Sequence, residues 1–292
     1  MEIRVLKYFL AVATEKNISR AARRLHLSQP ALSKQLKELE IELGVTLFIR
    51  GNREIELTEE GMYLFNKAKE ILSLVDQTIS NLKEEEEIVG EVYIGGGETR
   101  AMSLIAEAAK KMIIEFPNVK IHLSSGTSDY VMEKLDHGLF DFGLVIDPAN
   151  KQKYESLRIP AKDIWGLLVR NDHILANKST ITARELKGIP LFCSHQTLVE
   201  NQMSEWLGSS LEHYNFIGSY NLLYNASLMV EAGVGCALCL DGIINTADKK
   251  LKFIPLEPEL SAGLNLIWKK NQPLSRTAKK FLEKLKLIID KY

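Results

Sequence analysis

The sequence predicts a small helical domain with a β-hairpin, then one long helix, then an α/β region over residues 89–292. Three observations lead there. Between Leu32 and Leu43 the leucines recur at spacings of 4, 3 and 4, the period of a helix with one apolar face, and shorter helical patterns precede it. From Leu64 to Leu82 the apolar residues keep a near-heptad rhythm. Beyond residue 89, short strand-like runs alternate with helical patterns, as in chains that pack helices on both faces of a sheet.

Composition narrows the options further. With 292 residues, 46% of them hydrophobic, two domains are expected. A net charge of −1 gives no global pull toward nucleic acid or membrane, so any basic footprint is local. Residues 1–58 hold 10 Lys/Arg against 7 Asp/Glu, residues 59–88 hold 3 against 8, and the remainder 24 against 23, so only the first segment is clearly positive. No run of about 18 apolar residues predicts a membrane span. The stretch "FLAVA" (Phe9 to Ala13), between Glu2 and Glu15, is too short for a secretory leader. Three cysteines, an odd number, point to a reducing cytoplasm and not to a disulfide framework.

Leu6, Phe9, Leu10 and Ala13 set a first helix over about residues 2–15. Asn17 or Ser19 caps a second through Leu25, and its Ala21 and Ala22 are small enough for a close crossing. Ser28 caps a third, with Gln29 and Pro30 in the first turn, where proline's missing N–H costs nothing. When Leu32, Leu36, Leu39 and Leu43 turn inward, Gln29, Ser33, Lys34 and Lys37 project outward. Two helices joined by the His26-Leu27 turn form a helix-turn-helix, whose second helix enters the major groove. Gln29, Ser33, Lys34 and Lys37 can then hydrogen-bond base edges or phosphates, with Ser28 and Pro30 at the helix start among the DNA-binding residues and Lys34 and Lys37 mostly supplying electrostatic attraction. The plainer alternative is the solvated side of an amphipathic helix. After Gly44, the residues Val45, Leu47 and Phe48 and the alternating Ile55, Glu56 and Leu57 predict a hairpin whose Arg50 and Arg53 reach phosphates or the minor groove. Thr58 caps the long helix, which runs to about Glu87. Its stripe of Leu64, Ala68, Ile71, Val75, Thr78 and Leu82, flanked by Phe65, Leu72 and Ile79, either packs on its own domain or pairs with a second copy.

The run "ISRAARRLHLSQPALSKQLKELEIELGVTLFIRGNREIELTEEG" (Ile18 to Gly61) resembles the winged helix-turn-helix of LysR-type transcriptional regulators in spacing and residue type. Ile49 departs from the acidic or polar residue commoner before Arg50, and Glu54 and Glu56 make the wing less basic. The resemblance implies a winged domain over residues 1–58 and a linker helix over 59–88 that pairs two subunits.

Farther on, strands are expected at residues 92–94, 119–123, 142–146, 165–169, 191–193, 216–217 and 235–240, with helices at 101–116, 130–137, 201–207, 222–232 and 275–290. The alternation predicts parallel strands. "LDHGLFDFGLVIDP" (Leu135 to Pro148) and "MVEAGVGCALCL" (Met229 to Leu240) resemble the effector-binding domain of the same family. That resemblance implies two subdomains like those of a periplasmic binding protein, I at about 89–160 and 267–292 and II at about 161–266. The chain then crosses near Arg158 to Lys162 and returns near Gly263 to Trp268, and a ligand sits in the cleft between.

Gly95-Gly96-Gly97 lies between a strand and a helix, where backbone N–H groups can face an anion. It lacks the Lys-Ser/Thr of a P-loop and the spacing of a dinucleotide fingerprint, so no cofactor is expected. The resemblance places effector contacts at Thr99, Arg100 and Met102. Ser125, Gly126, Thr127 and Ser194 occupy other strand ends where open sheets bind ligands, and each serves equally well as a helix cap. Gly97 to Arg100 at a helix start favour a small anionic metabolite. Cys236 and Cys239, three apart in a strand, face opposite sides, which suits buried apolar residues and not a metal site; a thiol sensor at Cys193 is the minor alternative. No Ser-His-Asp order, paired carboxylates or metal spacing suggests an enzyme. A solute-binding protein accounts for residues 89–292 but leaves the reading helix unexplained. The expectation is a cytoplasmic regulator responding to a small-molecule effector. It binds double-stranded promoter DNA as a homodimer through the linker helix or as a homotetramer, with RNA polymerase a further partner and no membrane.

Overall fold

A computed structural model describes residues 1–50, 55–82, 87–147, 152–195, 201–208, 211–247 and 250–292. Arg53 lies outside the described residues, as do the side chains of Arg50 and Leu82. The chain divides into two units, Met1–Lys83 and Glu84–Tyr292. Among the described residues no helix is long and apolar enough to cross a membrane.

In the first unit α1 spans Ile3–Glu15, α2 Ile18–Arg24 and α3 Gln29–Leu43. Each start has a local cause. The Asn17 side chain accepts from the Arg20 N–H, and Ser28 Oγ accepts from the Ala31 N–H, so each satisfies a backbone donor that the first turn leaves unpaired. Helix α3 stops at Gly44, whose φ of 70° suits a residue without Cβ. Strands β1 (Phe48–Arg50) and β2 (Ile55–Leu57) pair antiparallel as the expected hairpin. Thr58 Oγ1 accepts from the Gly61 N–H and starts α4, Glu59–Leu82. Leu6, Phe9, Val12, Ala21, Ala22, Leu32, Leu36 and Leu39 form the core, and Phe9 meets Phe48 at 5.2 Å between ring centroids. Leu64, Ala68 and Leu72 of α4 enter the same core, so the first half of this helix packs on its own domain. Ile79 in the second half is 54% exposed. Leu43, expected in the buried row, is exposed because α3 outruns the core by its last turn.

Among its described residues the second unit holds one nine-stranded sheet in the order β4-β3-β5-β11-β6-β9-β7-β8, with β10 also on β6. The strands are β3 (Gly90–Gly96), β4 (Val119–Ser125), β5 (Phe142–Ile146), β6 (Tyr154–Arg170), β7 (Leu191–Ser194), β8 (Phe216–Tyr220), β9 (Cys236–Leu240), β10 (Leu251–Pro255) and β11 (Ser261–Lys269). The helices are α5 (Met102–Glu115), α6 (Ser128–Asp136), α7 (Asn201–Leu207), α8 (Leu223–Glu231) and α9 (Arg276–Ile289). Parallel pairing, expected throughout, holds for β3 with β4 and β5 and for β7 with β8 and β9. The centre is antiparallel: β6 and β11 run in opposite directions and pair with each other, β11 also with β5 and β6 also with β9 and β10.

Two lobes result. Lobe I has β3, β4 and β5 with the start of β6 and the end of β11, covered on one face by α5 and α9 and on the other by α6. Lobe II has β7 to β10 with the end of β6, and its two faces carry separate apolar clusters. The β6–β11 ladder shifts register between Gly263 and Leu264, which pair with Lys162 and Ile159 and leave Pro160 and Ala161 as a bulge. Proline, with no N–H to give the ladder, suits that place.

Candidate nucleic-acid interface and ligand cleft

On α3 the burial of Leu32, Leu36 and Leu39 decides what the opposite side shows. Gln29, Pro30, Lys34 and Lys37 are exposed, with Ser28 at the cap, and Ser33 is half-buried on the same side. Lys34 Nζ lies 3.8 Å from Glu38 Oε1, an exposed i,i+4 pair that water screens. Exposed Arg20 and Arg24 on α2, which the sequence argument passed over, are both held toward Glu15. A row of short hydrogen-bonding side chains at the start of α3, with lysines one and two turns on, has the chemistry to read base edges and neutralise phosphates.

In the second unit a cleft of about 800 Å³, open to solvent, lies between the lobes. Four expected residues line it: Gly97, Gly126, Thr127 and Ser194. Four do not. Thr99 is buried; its Oγ1 accepts from the Ala101 N–H, and its side chain hydrogen-bonds to Asp163. Arg100 is exposed and lies against Gly242, Met102 approaches Gly96 and joins the core of lobe I, and exposed Ser125 ends β4. The arginine behind the expectation of an anionic effector therefore stands outside the cleft lining.

Beyond the strand-end residues, the lining includes the carboxylates of Glu98 and Asp147, the amide of Asn221, and an apolar wall of Ile146, Trp165, Leu240 and Leu260, none of them expected from the sequence. Asp147 is bound to Arg158, and both of its oxygens accept from the one amide nitrogen of Asn265, with Nδ2 at 3.1 and 3.0 Å. Arg158 reaches it across Gly263, where a Cβ would fall 1.9 Å from the guanidinium. Glu98, on the loop after β3, extends to lobe II and accepts the Leu223 N–H at the start of α8, whose N-cap Leu222 has no side chain to do so.

Burial pushes the Asp163 carboxyl up despite the Thr99 hydrogen bond, and its Oδ2 has no hydrogen-bond partner among the described residues. Cys236 packs in one apolar cluster of lobe II and Cys239 in the other, on opposite faces of β9. Burial lifts the Cys193 thiol to about 12 and Cys236 to about 11, so neither carries appreciable thiolate at neutral pH.

Comparison with known proteins bears on both sites. A family model described as "Bacterial regulatory helix-turn-helix protein, lysR family" matches residues 3–62, and one described as "LysR substrate binding domain" matches residues 85–287. The chain is 33% identical to the uncharacterized HTH-type transcriptional regulator YwbI of Bacillus subtilis, over 98% of this chain and 96% of that one. It is 28% identical to the Hca operon transcriptional activator HcaR of Escherichia coli, over 93% of each. Among solved structures, that of CbnR, a LysR family transcriptional regulator, superposes with a TM-score of 0.76 at 23% identity over 99% of both chains. CbnR complexed with its target DNA gives 0.73 at 21%, over 99% of this chain and 100% of that one.

Proposed function

The chain belongs to the LysR family of bacterial transcriptional regulators, and from that premise we infer how this member reads DNA and what its cleft is for. It is a sequence-specific DNA-binding regulator with a substrate-binding effector domain, and its relatives are regulators and not enzymes. The start of α3 lies in the major groove, with Gln29 and Ser33 at base edges, Ser28 and Pro30 setting the helix entry, and Lys34 and Lys37 on phosphates. The wing arginines Arg50 and Arg53 add contacts to the backbone or the minor groove. The observation that carries this is the outward row on α3 opposite fully buried leucines.

Residues 1–58 act as the winged domain and 59–88 as the linker. The second half of α4 joins two copies, so that two reading helices address two half-sites about one helical turn, ~34 Å, apart. Two such dimers form a tetramer on the promoter, in the cytoplasm, within reach of RNA polymerase. An effector bound between the lobes, at about 89–160 with 267–292 and 161–266, changes the angle between copies and so the spacing the pair prefers. Selection of bound duplexes from a random pool, with salt varied and the winner footprinted, tests the assignment. An inverted repeat protected on one face, weakening as salt rises, is the expected result. No enriched sequence from folded protein sinks the reading helix.

A further inference from the structure

We propose that the molecule held in the cleft carries a protonated amine on an apolar body, with the ammonium paired to Glu98; this rests on the cleft being the effector site. Among the described lining residues there are two carboxylates, Glu98 and Asp147, and no Lys, Arg or His. Asp147 has its counter-charge built in, from Arg158 with Asn265 beside it. Glu98 has a single backbone N–H, that of Leu223, and no ion pair with it is found among the described residues. One carboxylate charge therefore stays in a cavity walled by Ile146, Trp165, Leu240 and Leu260.

An anion entering there sheds water beside a like charge, and both effects oppose it. An ammonium meets the opposite case. It gains a charge-assisted hydrogen bond to Glu98, and its remaining N–H donors have the hydroxyl of Ser194 and the Asn221 amide on the same lining. The apolar wall takes the rest of the molecule, on a cleft that opens to solvent and so admits a small amino acid or monoamine from outside. Because Glu98 spans the lobes to the start of α8, an amine bound to it touches a carboxylate that bridges them.

The test uses matched trios on the full-length protein: phenethylamine, phenylalanine and 3-phenylpropionate, then isopentylamine, leucine and 4-methylpentanoate. Binding is followed by melting temperature and calorimetry, and operator footprints are taken with each binder. The amine-bearing members are expected to bind at least tenfold more tightly than the acids lacking the amine. Whether the amino acid or the monoamine leads tells the two sources apart. Glu98→Gln keeps an oxygen for the Leu223 N–H and removes the charge, so amines are expected to lose about tenfold in affinity while the ligand-free melting temperature holds. Acids binding as tightly as amines, or amines binding equally to the Glu98→Gln protein, overturn the proposal. Acids that also change the footprint overturn the amine alone and leave the cleft as effector site. A ligand that binds without changing the footprint counts against the effector role and not against the amine.

Discussion

Gln29 and Lys37 stand on one face of α3, yet they are expected to fail differently when removed. Gln29→Ala should cost about 1–3 kcal/mol against the preferred site and little against random duplex. Lys37→Ala should weaken all duplexes alike and reduce the slope of log affinity against log salt by about 1. Salt titrations on selected and scrambled operators separate the two, and equal losses on both sequences contradict the division. A different residue sets a pH response. Asp141 accepts the Tyr93 N–H at 2.8 Å, and burial lifts its carboxyl from 3.8 to about 6. The folded chain therefore holds this proton more tightly than the unfolded one. The stability it contributes is present below about pH 4 and is lost as pH rises through 6, a change of up to about 3 kcal/mol. Urea unfolding at pH 4.5 and 7.5 should show wild type losing ground to Asp141→Asn at the higher pH. A constant gap between the two proteins would exclude Asp141 as the source.

Helix starts were the most legible elements, because a cap is a local bargain between one side chain and the turn that follows. Ser28, Thr58 and Thr127 each accept from the N–H three residues on, and of the two candidates before α2 it is Asn17 that caps. The strands Tyr154–Ile164, β10 and β11 escaped the pattern. Glu155, Arg158, Pro160, Lys162 and Asp163 break any apolar run, and the partners lie some hundred residues away, as Ile159 with Leu264 does. In the cleft, Gly97, Gly126, Thr127 and Ser194 were found because strand ends are readable. Glu98 was not, since its direction is set by a helix that begins 125 residues later. Packing between hairpin and long helix offers a sharper test. A Cβ on Gly61 would fall 2.1 Å from the carbonyl oxygen of Leu47, a backbone atom that cannot step aside cheaply. Gly61→Ala is expected to destabilise the first unit by about 2–3 kcal/mol in a thermal melt and to weaken DNA binding with it. An unchanged melt would mean that α4 and the hairpin separate without loss.

For the whole molecule, the second half of α4 is the predicted joint between copies. Ile79→Asp, at a position 54% exposed in one copy, should leave the melt of the second unit intact. The same change should lower the sedimenting mass at micromolar concentration and flatten cooperativity on a two-half-site operator. A mass that does not change would move the joint elsewhere. The double crossing of β6 and β11 has a consequence in time as well as in space. Lobe II is nested inside lobe I: strands β7 to β10 all leave the ribosome before β11 and α9, whereas Phe281 and Leu285 pack on Val92 and Ile94. The lobe whose chain emerges first is therefore finished last. A chain that lacks α9 keeps α5 on that face of lobe I but leaves the part of it that Phe281 and Leu285 cover exposed, the kind of apolar surface that chaperones and proteases recognise. Closure of that face is therefore expected to wait until α9 has been made.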